Sequence, residues 1–251
     1  MEELKEIAKG AGDILLRYRN RELAIRTKAD ESDFVTEADT ESDAFIRTQL
    51  TKLFPEDQIL SEETIDTVED FSGRVWIVDP LDATDAYIRG NNGFSVMIGL
   101  SIHGKSSLGL IYLPALDTYY WASEGGGAWK QIGQQEPEPL HVNEVTSLEK
   151  IRFAVPSGGS VPIPATEYVH AASGGLKAGL LAEGKVEGIF YTDSNTGKWD
   201  FCASDILVRE AGGQFTDAIG MPVDYSLPPV IFPKCILASN AHIHELMKSV
   251  V

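Results

Sequence analysis

The run Val75-Trp76-Ile77-Val78, followed by Asp79-Pro80-Leu81-Asp82-Ala83-Thr84-Asp85, constrains this chain more than any other stretch. The apolar residues read as a buried strand, which then breaks at a proline flanked by two aspartates. Pro80 turns the chain and biases Asp79 away from helical angles, so Asp82 is brought back towards the strand tip. Two carboxylates held that close raise one another's pKa unless a cation sits between them. Hard divalent cations, Mg²⁺ in particular, take such all-oxygen surroundings. Thr84 adds a hydroxyl, and the N–H groups of Ala83 and Thr84 form a small concavity suited to an anion. Taken alone, the same residues also fit an acidic turn that caps a helix starting near Asp82.

Other acids stand at comparable places. Upstream, Leu4, Ile7, Ala8, Ala11, Leu15 and Tyr18 recur at helical spacing and predict an amphipathic helix over 2–20. Thr36 is a candidate N-cap for a second helix, with Asp39 at the third helical position and Phe45, Ile46, Leu50 and Leu53 on its apolar face. By itself Asp39 reads as a helix-start residue. The run Gln58-Ile59-Leu60-Ser61-Glu62-Glu63 predicts another strand that ends in carboxylates. Two strands ending in acids can meet at one sheet edge and share a metal site, although Asp66, Glu69 and Asp70 also make an exposed acidic loop a competing reading.

The composition narrows the partners. A net charge of −17 over 251 residues disfavours nonspecific binding to nucleic acid or to an anionic membrane. A bound cation still lets an acidic protein hold phosphate. Cys202 and Cys235 are the only cysteines, no disulfide framework is expected, and a reducing cytoplasm suits them. Met1 to Lys9 carries charges and no apolar core of signal-peptide type, so no export signal is expected, and no apolar run is long enough to span a bilayer.

From Phe94 to Lys130 the pattern becomes a meander of strands, with turns at His103-Gly104-Lys105 and at Glu124-Gly125-Gly126. Gly125 to Gly127 join two strands, which excludes a dinucleotide fingerprint. Residues 131–149 are polar and mark a seam, giving one domain over 1–251 with subdomains of about 1–140 and 141–251. Beyond the seam, Phe153-Ala154-Val155 and Val186 to Tyr191 predict strands, and Ser173 to Gly184 a glycine-opened helix. Gly174 and Gly175 at that helix start suit either a ligand brought close to backbone N–H groups or tight packing on a sheet. A further helix opens at Lys198-Trp199-Asp200 and closes at Gly212, with Asp200 where the dipole favours an anion. The last helix is predicted over Ala241 to Val250, capped by Asn240.

Four blocks now carry a resemblance. Asp33-Phe34-Val35-Thr36-Glu37-Ala38-Asp39, Ser61-Glu62-Glu63, Trp76 to Thr84, and Trp199-Asp200 with Glu210-Ala211-Gly212-Gly213 are similar to the successive motifs of the inositol monophosphatase superfamily, in its order and approximate spacing. The resemblance implies an α/β layered fold, an α-β-α-β-α sandwich, and Mg²⁺-dependent, often lithium-sensitive hydrolysis of small phosphate monoesters. It implies that Glu62, Asp79 and the Leu81 carbonyl hold one Mg²⁺, that Asp79, Asp82 and Asp200 hold a second, and that a weaker third lies near Glu62, with Mn²⁺ as a substitute. Thr84, with Glu62 or Asp39, orients the attacking water on this pattern, and the Ala83 and Thr84 N–H groups hold the phosphate. The resemblance further implies that Asp82, Gly174, Gly175 and Asp193 contact the alcohol part of the substrate. A homodimer in the cytoplasm is the matching assembly, its partner a small phosphorylated substrate rather than nucleic acid or membrane.

The chain departs from this pattern at Ala83, where the family usually carries glycine, so a methyl group borders the phosphate cradle. Asp193, six residues before Trp199, falls where inositol monophosphatases place an acid on a substrate hydroxyl, and this resemblance favours a polyol phosphate such as inositol monophosphate. Leu60 to Glu63, Leu176-Lys177 and Pro222-Val223-Asp224-Tyr225 are more similar to the branch that cleaves the 3′-phosphate of adenosine 3′,5′-bisphosphate, yet Asp85 stands where that branch commonly has lysine. A low-activity relative with a regulatory binding role is the third reading, motivated by Ala83.

Overall fold

In a computed structural model the described residues are 1–19, 25–27, 34–68, 70–156, 167–191, 196–217, 219–231 and 235–248. Helix α1 (Glu2–Tyr18) is followed by short strands β1 (Ile25–Thr27) and β2 (Phe34–Thr36) and by α2 (Glu37–Leu53). Next come β3 (Gln58–Ser61), a 3₁₀ turn over Glu62–Thr67, β4 (Arg74–Asp82), α3 (Thr84–Ile88), β5 (Ser95–Ile102), β6 (Lys105–Leu113), β7 (Thr118–Ser123), β8 (Gly127–Ile132) and β9 (Glu138–Leu140). The remainder holds β10 (Arg152–Val155), β11 (Glu167–His170), α4 (Gly174–Ala182), β12 (Gly188–Tyr191), α5 (Lys198–Glu210), β13 (Gly213–Asp217), β14 (Ile236–Asn240) and α6 (His244–Lys248).

Strands β3 to β9 form one sheet in chain order, parallel at β3/β4 and antiparallel elsewhere. A second sheet runs β11-β10-β12-β14-β13. Side chains on β4 alternate between faces, as the two-residue period of a strand requires. Trp76 and Val78 pack with Leu4, Leu15, Ile46 and Leu50 of α1 and α2, whereas Val75 and Ile77 pack with Ala178 of α4 and Phe201 and Ile206 of α5. On the far side of the second sheet, Phe153 and Leu237 pack against Met247 of α6. The layers are therefore α-β-α-β-α, with α4 and α5 in the middle. The sheets change over between Leu140 and Arg152, and we keep the division into two subdomains near residue 140 as a proposal.

A notch in the first sheet seats α5. Gly99 of β5 and Gly109 of β6 are paired across the ladder. A Cβ at Gly99 would lie 2.6 Å from Cys202 Sγ, and one at Gly109 would lie 2.7 Å from the Ala203 carbonyl oxygen. The helix thus lies against strand backbone, closer than any side chain at those two positions permits.

Some predicted boundaries move. Strand β4 does not stop at Asp79 but continues through Pro80 to Asp82, and the first helical residue after it is Thr84, not Asp82. The pairing steps from Asp79↔Met97 to Asp82↔Ser95, so one extra residue on β4 forms a bulge, a place where a proline without an N–H is tolerated. The last helix begins at His244 rather than Ala241, because the Asn240 side chain accepts hydrogen bonds from the N–H groups of His242 (3.0 Å) and Ile243 (3.1 Å) and holds a turn there. His244 is buried between Ser239 Oγ (2.7 Å) and Thr216 Oγ1 (2.9 Å), and burial pushes it down to about 4, a structural histidine.

Candidate active site

Asp79 follows Val75 and Ile77 on the face of β4 that looks at α5, which is how a residue of the first sheet meets Asp200. One carboxylate oxygen each from Asp79, Asp82 and Asp200 lies within 4.8 Å of the others. Asp79 and Asp82 are buried and Asp200 is half-buried. Each is held by backbone donors or a hydroxyl. The Leu81 N–H donates to Asp79 (3.0 Å), and the Gly197 N–H donates to Asp200 (2.6 Å), which sits at the third position of α5. Asp82 accepts from the Ser95 hydroxyl (2.7 Å), the Gly175 N–H (2.8 Å) and the Gly174 N–H (3.2 Å).

The cluster is electrostatically loaded. Burial pushes Asp79 well above the usual carboxylate range, and the charges of Glu62, Asp82 and Asp200 push it further. Asp200 is raised by burial, then by Glu62 and Asp82, while Lys177 on α4 acts in the opposite sense. Glu62, the first residue after β3, is thus the strongest charge on both, although its oxygens are not in the set that closes to 4.8 Å. Buried carboxylates with oxygen as the only donor type fit a hard cation, whose charge reverses the penalty each acid imposes on its neighbours.

Beside the cluster, Thr84 Oγ1 lies 3.0 Å from Asp39 Oδ1 and 3.1 Å from the Leu81 carbonyl, and its single proton serves one of them at a time. Asp39 is held by the capping box of α2: its other oxygen accepts from the N–H (2.8 Å) and the hydroxyl of Thr36. Burial pushes Asp39 up, against the hydrogen bonds from Thr36 and Thr84. Between these groups Ala83 adopts φ 70° and ψ 51°, the left-handed region, at a cost of about 1–2 kcal/mol for a residue with a Cβ. Ala83→Gly is therefore expected to raise the unfolding midpoint by about 2–4 °C for each kcal/mol released. A thermal melt checks this, and a lowered midpoint contradicts it.

Of the residues singled out from sequence, Asp39, Thr84 and the Leu81 carbonyl form one hydrogen-bonded group, and Asp79, Asp82 and Asp200 converge as a cluster of carboxylates with no hydrogen bond between them. The N–H groups of Gly174 and Gly175 donate to Asp82. A Cβ at Gly174 would meet Asp82, the Asp200 carbonyl and Tyr191 at 3.5–3.7 Å, so that face of the residue borders the cluster. Asp193 lies outside the described residues. Sequence reading missed Ser95, whose signal is a serine ahead of the run Val96-Met97-Ile98, and Ser42, which donates to the Pro80 carbonyl (3.0 Å) from the buried face of α2.

Two stacked sheets with helices between and outside them, and an acid cage where the middle helix layer meets a strand bulge, define a layered α/β protein with a cation-competent centre. The chain belongs to the inositol monophosphatase family, whose profile matches residues 1–250, and it is a phosphatase of that family. It is 33% identical over 237 residues to a 3′(2′),5′-bisphosphate nucleotidase CysQ of Aggregatibacter actinomycetemcomitans, covering 90% of this chain and 87% of the relative. It is 30% identical over 257 residues to a fructose-1,6-bisphosphatase/inositol-1-monophosphatase of Thermotoga maritima, covering 98% and 93%. The crystal structure of the extragenic suppressor protein suhB from Bartonella henselae superposes with a TM-score of 0.84 at 27% identity, covering 100% of this chain and 97% of that one.

Proposed function

We propose that the protein is a Mg²⁺-dependent phosphatase of a small phosphate monoester, inositol monophosphate or a related sugar phosphate. The observation that carries this reading is the triad of buried Asp79 and Asp82 and half-buried Asp200, with one oxygen of each within 4.8 Å of the others, and the Asp39–Thr84 hydrogen bond beside it. On this reading Glu62, Asp79, the Leu81 carbonyl, Asp82 and Asp200 hold two or three cations, Mn²⁺ replacing Mg²⁺. When bound, such cations lower the pKa of water and offset charge on the attacking and leaving oxygens.

The chain's own groups do the rest. Donating its hydrogen bond to Asp39, the Thr84 hydroxyl turns its lone pairs to a water and would accept a hydrogen bond from it, which aims the water at phosphorus. The same orientation leaves the Leu81 carbonyl free of Thr84. The N–H groups of Ala83 and Thr84 hold the phosphate, and Gly174, Gly175 and Asp193 border the alcohol. Lithium inhibition, a homodimer and a cytoplasmic location belong to the same proposal and rest on family resemblance. No helix among the described residues is long and apolar enough to cross a membrane.

Lys177 favours a second reading, 3′(2′),5′-bisphosphate nucleotidase. It is a largely buried cation on α4 over the Tyr191 ring (4.5 Å), close enough to act on Asp200, and it suits a substrate with a second anionic group. Asp85, which opposes that reading, is ion-paired with Arg89. Steady-state hydrolysis of inositol 1-phosphate and adenosine 3′,5′-bisphosphate with Mg²⁺ separates the two. The proposal expects kcat/KM at least about tenfold higher for the inositol ester, ~1.4 kcal/mol in transition-state binding. The reverse preference selects the nucleotidase, and phosphate release from neither overturns the small-ester reading.

A further inference from the structure

The buried face of α2 carries more polar groups than a packing helix needs. Thr36, Asp39, Ser42 and Asp43 fall three or four apart, so they share one side of the helix, and all are buried. Burying a hydroxyl or carboxylate is unfavourable unless a partner meets it. Asp39 and Ser42 find theirs in the Pro80–Thr84 stretch of the candidate site, whereas Asp43 Oδ1 and Ser61 Oγ are buried without a hydrogen-bond partner among the described residues. Asp39 meets Thr84 at 3.0 Å. Ser42 Oγ donates to the Pro80 carbonyl at 3.0 Å. Asp43 lies beside Ser61, the residue before Glu62, and 3.7 Å from Arg47.

The contact of Ser42 matters because of where Pro80 is. Opposite the bulge, Pro80 and Leu81 share a single β5 residue, Val96, between the Asp79↔Met97 and Asp82↔Ser95 pairs. Pro80 has no N–H to anchor it. The Pro80–Leu81 peptide, which separates Asp79 from Asp82, is instead held at its carbonyl by Ser42 and at its N–H by Asp79 itself (3.0 Å), so the Ser42 bond helps to orient the very N–H that holds the Asp79 carboxylate. Resting on the proposed metal site, we infer that Ser42 is a positioning residue for it: its hydroxyl sets the spacing of the Asp79 and Asp82 carboxylates and hence cation affinity. It touches neither ion nor ester, so it is not a catalytic residue. Groups that orient the ligands of a metal shift its affinity by about 10–100-fold when removed.

The test is calorimetric titration of the metal-stripped, full-length protein with Mn²⁺, for the natural chain, Ser42→Ala and Ser42→Thr, with circular dichroism to establish that each is folded. Ser42→Ala is expected to raise the Mn²⁺ dissociation constant about tenfold, and Ser42→Thr, which keeps the oxygen, to restore most of the loss. In turnover assays the half-saturating Mg²⁺ concentration should rise in parallel, with KM for the ester unchanged at saturating metal. Folded Ser42→Ala that binds Mn²⁺ as the natural chain does overturns the inference, as does Ser42→Thr as weak as Ser42→Ala. If the natural chain itself binds no Mn²⁺, the metal-site reading falls and takes this inference with it.

Discussion

Asp79→Asn is expected to lower turnover by about a thousandfold or more while raising the melting temperature of the metal-free protein. The two effects have one cause. Asp79 is buried among Asp82, Asp200 and Glu62, and each of these charges opposes its ionisation. Without a cation the neutral amide relieves that repulsion, a gain worth about 2–4 °C per kcal/mol in a chain of this size. With Mg²⁺ present the same change removes an anionic ligand from the cage, and several kcal/mol of transition-state stabilisation go with it. Differential scanning fluorimetry with and without Mg²⁺, beside turnover measurements, reads both. Mg²⁺ should raise the melting temperature of the natural chain and leave that of the variant in place. A variant that melts earlier than the natural chain, yet is still stabilised by Mg²⁺, shows that the acids do not form a cation cage.

Gly174→Ala and Gly175→Ala should behave oppositely although the residues are neighbours. A Cβ at Gly175 would lie 2.6 Å from both Ser95 Oγ and Ile111 Cγ2. Overpacking of that kind costs about 1–3 kcal/mol. It also pushes Ser95 and the start of α4 away from Asp82, which both of them hold, so turnover should fall about tenfold or more by the loss of ligand support. A Cβ at Gly174 meets its nearest neighbour at 3.5 Å, an ordinary contact. Its effect on stability should stay within about 0.5 kcal/mol, and any change should appear in KM, because the new methyl borders the acids. Urea unfolding and steady-state kinetics on both variants separate the outcomes. If Gly175→Ala unfolds as the natural chain does, the close approach of α4 to β5 and β6 is not what positions Asp82.

Features that depend on near neighbours were legible in the sequence. The Thr36–Asp39 capping box joins residues three apart, and the two-residue hairpin loop at His103-Gly104, both at positive φ, announces itself by its glycine. The unbroken apolar run Val75, Trp76, Ile77 and Val78 read as a buried strand, and the residues prove buried on both faces of β4. What stayed hidden depends on register or on distant partners. Pro80 reads locally as a strand end, and only its pairing with β5 reveals that the ladder resumes at Asp82. Ser95 is tied to Asp82 by that same register, and Ser42 reaches a carbonyl 38 residues away. Asp200 reaches back to the N–H of Gly197, a residue with no side chain to signal a cap. The four motif blocks singled out Asp39, Glu62, Asp79, Asp82 and Asp200, but that Glu62 stands outside the tightest triad is a fact of three-dimensional placement.

The paired glycines beneath α5 have a consequence for how such a centre can be tuned. Cys202 and Ala203 rest on Gly99 and Gly109 one short step along the helix from Asp200. Any side chain introduced under them acts as a shim: it lifts the helix and draws one jaw of the acid clamp away from the other two. Grip on a cation can thus drift by changes in the floor of the sheet, at positions that a survey of the pocket lining alone would pass over.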